Sequence, residues 1–402
     1  MCDNSYMRIL LVCQYYSPEP ISVSRIAEDL VKRGHEVTVL TGLPNYGFGR
    51  ILEGYEKPIT EEINGVHVVR VKLKPRTNSK KSLIANYLSF WRYAKRKVNH
   101  LGRFDLVYGI QLSPVISMAP AIKYAKKRHV PFVLSCYDLW PESPVASGYI
   151  KQNSLAYKIL YRWSRKIYAK ADKILTSSPA FEPYFKDVLK LDKNISTVYQ
   201  PPVELEQADA PKSYETKTNI VYAGNLGKLQ RVDQFVEAMK FLQPEESIHL
   251  WVLGSGVEGK RIEEIVEKYH LQDRVSLIGL VSQQEVANYV ANATALVVSL
   301  PFSDSVVSET IPSKLVTSLG CGKPIIAAVG ESNKKILMAA KGSYFTNPDS
   351  KNIGDVYRKI AQESKNNLIK MGEDNLAYYK IHFEFSKVMD SLERELKSCK
   401  KE

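Results

Sequence analysis

The sequence predicts an α/β protein made of two doubly wound domains. Three observations carry this. Short runs of Val, Ile and Leu without polar alternation recur along the chain, as expected of parallel strands buried on both faces. Helical patterns separate most of these runs, which is the order of βα units. The pattern stops once, across a proline-containing stretch, and then restarts. At 402 residues, 44% of them hydrophobic and 25% charged, the chain suits two globular cores of about 100–200 residues each.

In the first half, strands are expected at Met7–Val12, Glu36–Thr41, Val66–Val71, Leu106–Tyr108, Pro131–Ser135 and Lys173–Thr176. Residues 22–33 read as a helix, because Val23, Ile26, Ala27, Leu30 and Val31 form one apolar stripe that Gly34 ends. Asn64-Gly65 is a turn signal before the third strand. Residues 199–217 contain Pro201-Pro202, a small acidic run and Pro211, carry no periodicity, and read as a hinge. Beyond it, strands are expected at Ile220–Ala223, Ile248–Leu253, Val275–Ile278, Ala295–Ser299 and Pro324–Ala328. The domains are therefore expected at 1–200 and 218–377, joined by a linker at 201–217 and followed by a last segment at 378–402. Two such arrays face a cleft, and ligands of doubly wound sheets bind outside the carboxyl ends of the strands.

Cysteine use and charge narrow the class. Cys2, Cys13, Cys136, Cys321 and Cys399 are scattered, odd in number and without a CxxC pair. This argues against a disulfide framework or a structural zinc site and fits a reducing compartment. The apolar run Ile9 to Cys13 follows Arg8 and is far shorter than the roughly 20 residues that span a bilayer, so it reads as a strand and not a signal peptide. A soluble cytoplasmic protein is expected. The net charge of +13 is uneven: residues 1–200 hold 31 Lys+Arg against 16 Asp+Glu, leaving 25 against 27 for the rest. Lys72, Lys74, Arg76, Lys80 and Lys81, then Arg92, Lys95, Arg96, Lys97 and Arg103, then Lys123, Lys126, Lys127 and Arg128 concentrate the excess, with Tyr87, Phe90, Trp91 and Tyr93 among them. Such a face suits an anionic membrane surface; it is otherwise a solvated helix face. No nucleic-acid motif accompanies it.

The loops after the strands hold the candidate chemistry. Gly224-Asn225-Leu226-Gly227-Lys228-Leu229-Gln230 lets backbone amides approach an anion, and Lys228 adds a point charge; a plain βα turn is the bland alternative. Gly254-Ser255-Gly256 permits another close approach. Glu309 precedes Pro312-Ser313-Lys314, where Pro312 fits the first turn of a helix whose free amides, with Ser313 and Lys314, face a diphosphate. Glu309 either accepts from sugar hydroxyls or caps that helix. In the first domain, Asp138-Leu139-Trp140-Pro141-Glu142 leaves a buried strand, and Asp138 is the candidate general base or electrostatic stabiliser; a cap with Trp140 in the core is the alternative. Tyr16, Glu19, Asn45 and Tyr46 lie on loops of the same rim and, with Trp140 and Glu142, are candidate acceptor contacts. No Asp-x-Asp and no paired histidine spacing occurs, so no metal and no cofactor are expected. A diphosphate leaving group would then be met by lysines and helix N-termini.

Taken in order, Arg33-Gly34-His35-Glu36-Val37, Gly224-Asn225-Leu226-Gly227, Gly254-Ser255-Gly256 and Gly322-Lys323-Pro324 resemble the GT-B fold glycosyltransferases of family 4, which are retaining enzymes. The resemblance covers nearly the whole chain. Pro44-Asn45-Tyr46, Asp138-Leu139-Trp140-Pro141-Glu142-Ser143 and Pro312-Ser313-Lys314 resemble the bacterial branch that includes L-fucosamine transferases of surface polysaccharide synthesis. The resemblance implies two Rossmann-like domains, a nucleotide-sugar donor (a uridine diphosphate sugar by default) on the second, an acceptor on the first, and no divalent metal. It also implies a lipid-linked glycan acceptor at the cytoplasmic face of the inner membrane, and a last helix from Tyr378 to Lys397 returning to the first domain. The family's diphosphate-binding Arg and Lys are replaced by Asn225 and Gln230, so Lys228 or Lys314 takes that part. Its spaced Glu pair falls at Glu309 and Thr317, and Pro18-Glu19-Pro20 stands where a glycine pair is usual. Two other readings compete: a catalytically silent partner subunit of the same fold, and a sugar-nucleotide 2-epimerase.

Overall fold

The computed structural model describes residues 6–400 except 20, 47, 78, 113, 204, 206–217, 244–245 and 301–305. Most of the expected linker 201–217 thus lies outside the described residues, as do Pro20 and Gly47 of the two candidate acceptor loops. The chain divides into two compact units, Met1–Pro201 with Ser386–Glu402, and Pro202–Phe385.

The first unit is built on an eight-stranded sheet. Its strands are β1 (Arg8–Val12), β2 (Glu36–Gly42), β3 (Thr60–Ile63), β4 (Val66–Val71), β5 (Leu106–Gln111), β6 (Phe132–Cys136), β7 (Lys173–Thr176) and β8 (Asn194–Thr197), in the order β3-β4-β2-β1-β5-β6-β7-β8. All neighbours pair in parallel except β3 with β4. The central strands are buried end to end because Ile, Leu and Val face helices on both sides. Periodicity missed β3 and β8, whose residues Glu61, Glu62, Asn194 and Ser196 are polar and sit at the sheet edges, where one face needs no apolar cover. Asn64 and Gly65, both at positive φ, make the β3–β4 turn a hairpin.

The second unit carries β9 (Thr218–Ala223), β10 (Ile248–Leu253), β11 (Val275–Gly279), β12 (Ala295–Ser299), β13 (Ile325–Ala328) and β14 (Ser343–Phe345). Their order, β11-β10-β9-β12-β13-β14, is parallel throughout and is the dinucleotide-fold order, with its switch point between β9 and β12. Tyr222, Phe235, Leu250, Ile262, Ile326 and Tyr357 are among the buried residues of its core.

The helix expected from Tyr378 to Lys397 is two helices, Lys365–His382 and Phe385–Lys397. They part where the Phe383 and Glu384 amides both donate to the Tyr379 carbonyl, at 2.7 and 3.0 Å. The last helix belongs to the first unit from Ser386 onward. It buries Val388, Met389, Leu392 and Leu396, and Glu393 receives Arg33 at 2.9 Å, His35 at 3.0 Å and Lys397 at 2.7 Å. Burial pushes the Glu393 carboxyl up, but hydrogen bonds from Lys397, Arg33 and His35 outweigh it and hold its pKa at about 2.

Candidate functional site

The loops at the β9/β12 switch point hold one another by close backbone approach. The Gly224 amide donates to the Leu253 carbonyl and the Leu226 amide to that of Ser255, both at 2.9 Å. A Cβ on Gly254, at φ +123°, would lie 1.9 Å from the Gly224 carbonyl oxygen, and one on Gly256 2.4 Å from that of Leu226. Only glycine lets these two loops close. At Gly227, a Cβ would meet Gln230 Oε1 at 2.5 Å and Asn225 Nδ2 at 2.8 Å, so both side chains crowd the turn. Lys228 is exposed on the single turn Lys228–Gln230 that follows.

Lys314 is where the loops converge. It stands in the first turn of the helix Ser313–Gly320, and its stem carries the ammonium inward to 3.4 Å above the centroid of the Tyr222 ring. A Cβ on Gly224 would lie 3.0 Å from Lys314 Nζ, so the ammonium sits against the glycine turn. Among the described residues Nζ is buried without a hydrogen-bond partner, and burial lowers its pKa from the ordinary lysine value to about 7. Sequence reasoning missed Tyr222, although strand alternation places it two residues before Gly224 on β9; its hydroxyl donates to the Asn225 carbonyl at 2.7 Å and fixes the turn. Pro312 is not in the first turn as expected but precedes the helix in extended conformation, and it supplies no side-chain cap. As the cap residue, Pro312 thus offers the first amides of the helix no side-chain acceptor. Among the described residues, a cation without a counter-ion, a glycine turn and a helix N-terminus that its cap residue leaves uncapped make a candidate anion site.

Two of the other expected donor contacts, Glu309 and Thr317, are engaged within the protein. Glu309 Oε2 accepts the Ser332 amide at 2.9 Å, at the start of the helix Glu331–Ala340, and so supports that helix. Asn333 ties the same loop through the Ser308 and Thr310 carbonyls. The Thr317 hydroxyl donates to the Val203 carbonyl at 3.0 Å and accepts the Val203 amide at 3.2 Å. A separate recess of about 390 Å³ lies at the carboxyl ends of β13 and β14, between Val329, Lys334, Asn347 and Lys359. None of the expected donor residues lines it.

In the first unit, Asp138 follows β6. Its carboxylate accepts from the Ser143 hydroxyl and from Trp140 Nε1, the latter at 3.1 Å. Burial raises its pKa above the usual carboxylate range, and those two hydrogen bonds only partly offset this. The turn is fixed from behind by Gln111 Nε2 on the Asp138 carbonyl and by Tyr168 Oη, which accepts the Trp140 amide. Glu142 accepts the hydroxyls of Tyr157 and Tyr184 at 2.7 and 2.8 Å and is a buried brace. Glu19 is likewise buried: Oε1 accepts the Asn45 and Tyr46 amides, at 2.8 and 2.7 Å, and Oε2 the Tyr16 amide at 3.0 Å. It ties the loops after β1 and β2 together, and burial raises its pKa despite those three donors. The Asn45 side chain accepts from the Arg76 amide and from Asn86 Nδ2. Tyr16 is fully buried, whereas Tyr46 is partly exposed between Tyr15 and Arg76. Of these candidates Tyr46, Trp140 and Asp138 keep some exposure, whereas Glu19, Asn45 and Glu142 are buried and hold the loops.

Comparison with known proteins agrees with this architecture. Residues 204–375 match the group 1 glycosyl transferases and residues 21–196 a glycosyl transferase 4-like domain. The chain belongs to the GT-B glycosyltransferases, with a group 1 second half and a 4-like first half. A probable glycosyltransferase of Pseudomonas aeruginosa, WbjE, is 23% identical over 63% of this chain and 66% of its own length. The chain thus spans just under two thirds of that relative. Among solved structures, sucrose-phosphate synthase of Thermosynechococcus elongatus superposes with a TM-score of 0.76 at 16% identity, covering 97% of this chain and 98% of its own. HepE of Anabaena, solved in complex with UDP and glucose, gives 0.70 at 14%, covering 98% and 100%. These likenesses show the fold.

Proposed function

We propose that the protein is a metal-independent, retaining transferase that moves a hexose or aminohexose from a nucleotide diphosphate donor to a lipid-linked glycan. The setting is capsule, exopolysaccharide or O-antigen synthesis at the cytoplasmic face of the inner membrane. The ammonium of Lys314, buried against the Gly224 turn and unpaired among the described residues, carries this reading. Three ammonium protons without an acceptor are costly in the apolar surroundings they occupy, and a diphosphate is the ligand that repays them. In this role Lys314, the amides after Pro312 and the Gly224–Gly227 turn neutralise the negative charge that develops as the diphosphate departs. Within the first unit we assign Asp138 the part of base or electrostatic stabiliser, and its raised pKa makes it a better proton acceptor than a free carboxylate. The UDP complex of HepE supports uridine diphosphate as the first donor to try. No three His, Cys, Asp or Glu side chains cluster as metal ligands would among the described residues.

One observation favours a second reading, a silent partner subunit: Thr317, where the resemblance puts a ribose-binding Glu, spends its hydroxyl on Val203. A thermal-shift panel of nucleotide sugars with a chelator present separates the two. A ligand at 100 times its Kd adds about 2.7 kcal/mol to the stability of the unit that binds it. A shift with one nucleotide sugar and transfer of its sugar to a lipid-linked acceptor support the enzyme; no shift with any uridine or guanosine diphosphate sugar supports the partner.

A further inference from the structure

The helix Leu155–Tyr168 presents an uncovered face that neither the donor site nor the candidate acceptor loops use. Ser154 caps it through the Tyr157 amide, and its inner face is fixed: Ser164 and Tyr168 are buried, Tyr161 donates to the Val188 carbonyl at 2.7 Å, and Arg165 Nε to that of Leu189 at 2.9 Å. Its outer face is apolar where a solvated helix would be polar. Leu155 is 75% exposed, Ile159 41% and Trp163 49%, and the four-residue spacing places them in one row. Lys158, Arg162 and Lys166 flank that row, and the helix contains no Asp or Glu. Beside it lies an open recess of about 320 Å³ between Tyr161, Arg162, Arg165, Lys166 and Lys190, without a carboxylate.

A second helix repeats the pattern. Lys80–Lys97 exposes Ile84 and Leu88, carries six Lys and Arg, and has no acidic residue. Both helices pack on the short turn Val115–Met118, and Lys80 Nζ lies 5.3 Å from the ring centroid of Tyr149, which itself is half exposed just before the Leu155 helix. The two rows therefore belong to one neighbourhood of the first unit.

We infer that Leu155, Ile159 and Trp163, flanked by Lys158, Arg162 and Lys166, dock this protein on an anionic phospholipid bilayer. The apolar row enters the headgroup–acyl boundary, and the recess between Arg162, Lys166 and Lys190 takes a lipid phosphate. Charge chooses this occupant. A second copy would set cation against cation, whereas each Lys or Arg at an anionic surface strengthens partition about fivefold. The sequence did not reveal this helix, because periodicity reports that a stripe exists and not whether it faces inward. The inference deepens the membrane part of the proposed function and is independent of its donor chemistry.

The test is flotation of the full chain with vesicles of phosphatidylcholine alone and of phosphatidylcholine with phosphatidylglycerol. The expected result is binding to the anionic vesicles only. Combined Leu155→Ser, Ile159→Ser and Trp163→Ser should reduce it at least tenfold. Arg162→Gln with Lys166→Gln should reduce it about 25-fold, at about fivefold per charge. Val257→Ser and Leu280→Ser, at still more exposed positions in the second unit, should leave it unchanged. Melting curves show whether each variant folds; the charge variant, which alters no packed residue, keeps the test decisive if the apolar variant does not. Wild-type protein that ignores anionic vesicles, or binding that survives both sets of substitutions, overturns the inference. So does a wild-type dimer that the serine variant turns into monomer without any loss of vesicle binding. Nucleotide-dependent thermal shifts should persist in every variant, so failure of docking and failure of the donor reading are read separately.

Discussion

Replacing Lys314 by Met should stabilise the protein while abolishing its response to nucleotide sugar. Burial moves the ammonium from the ordinary value of 10.5 to about 7. At about 1.36 kcal/mol per pKa unit, this is a cost to the folded state of roughly 4–5 kcal/mol at neutral pH and below, taken as an upper bound. The sign follows from proton counts. Between pH 7 and 10.5 the unfolded chain holds the proton that the folded chain has released, so stability rises with pH across that window. Methionine keeps the length and apolar character of the stem, and loses only the contact with the Tyr222 face, worth about 0.5–2 kcal/mol. Even half of the upper bound raises the midpoint of a unit this size by about 4–10 °C. The assay is thermal unfolding of wild type and variant from pH 6 to pH 10, with and without nucleotide sugar. The variant should melt higher at pH 7, the gap should close as the pH approaches 10.5, and only wild type should respond to ligand. A variant that melts at or below wild type at pH 7, or one that responds normally to nucleotide, refutes the reasoning.

Other perturbations should behave as follows. Asp138→Asn should preserve the melting curve and lower turnover by about 100-fold or more, as loss of a general base does; unchanged turnover in a purified transfer assay removes the role. Gly254→Ala must move the Gly224 loop, because its Cβ would fall 1.9 Å from a backbone oxygen, and should cost about 1–3 kcal/mol together with nucleotide binding. A normal nucleotide response in that variant would show that the loop contact is dispensable. Glu393→Gln should destabilise the first unit at neutral pH and remove part of its acid sensitivity. The depressed carboxyl stabilises the fold above its unfolded pKa of 4.5, and that contribution is lost as pH falls toward 2; an acid-unfolding curve identical to wild type contradicts this.

How much of this was legible beforehand depended on burial. The strands Val66–Val71, Lys173–Thr176, Ile248–Leu253 and Ala295–Ser299 lie where their Val, Ile and Leu runs placed them, because strands covered on both faces cannot hide that composition. The edge strands Thr60–Ile63 and Asn194–Thr197 were invisible for the opposite reason. In the second unit, the Gly224 and Gly254 turns and Lys314 could be named from residue type and position after a strand. The sequence could not show that Lys314 turns inward onto Tyr222 and away from solvent, nor that Glu309 spends an oxygen on Ser332 and Thr317 its hydroxyl on Val203. Those are contacts between segments far apart in the chain, and local pattern carries no trace of them. Glu19 and Glu142 illustrate the same gap, since the hydrogen bonds by which these two candidate acceptor contacts hold loops and tyrosines in place also join distant segments.

Calorimetric titration of a uridine diphosphate sugar, at constant ionic strength with a chelator present, bears most directly on the Lys314 anion site. The diphosphate keeps its charge across neutral pH, so any pH dependence reports the protein. Wild type should bind without divalent metal, weakening by up to tenfold per pH unit above about 7 as the free ammonium loses its proton. Lys314→Ala should bind far more weakly and without that pH dependence. Binding that requires magnesium, or that is as tight and as pH-dependent in the alanine variant, would contradict the account.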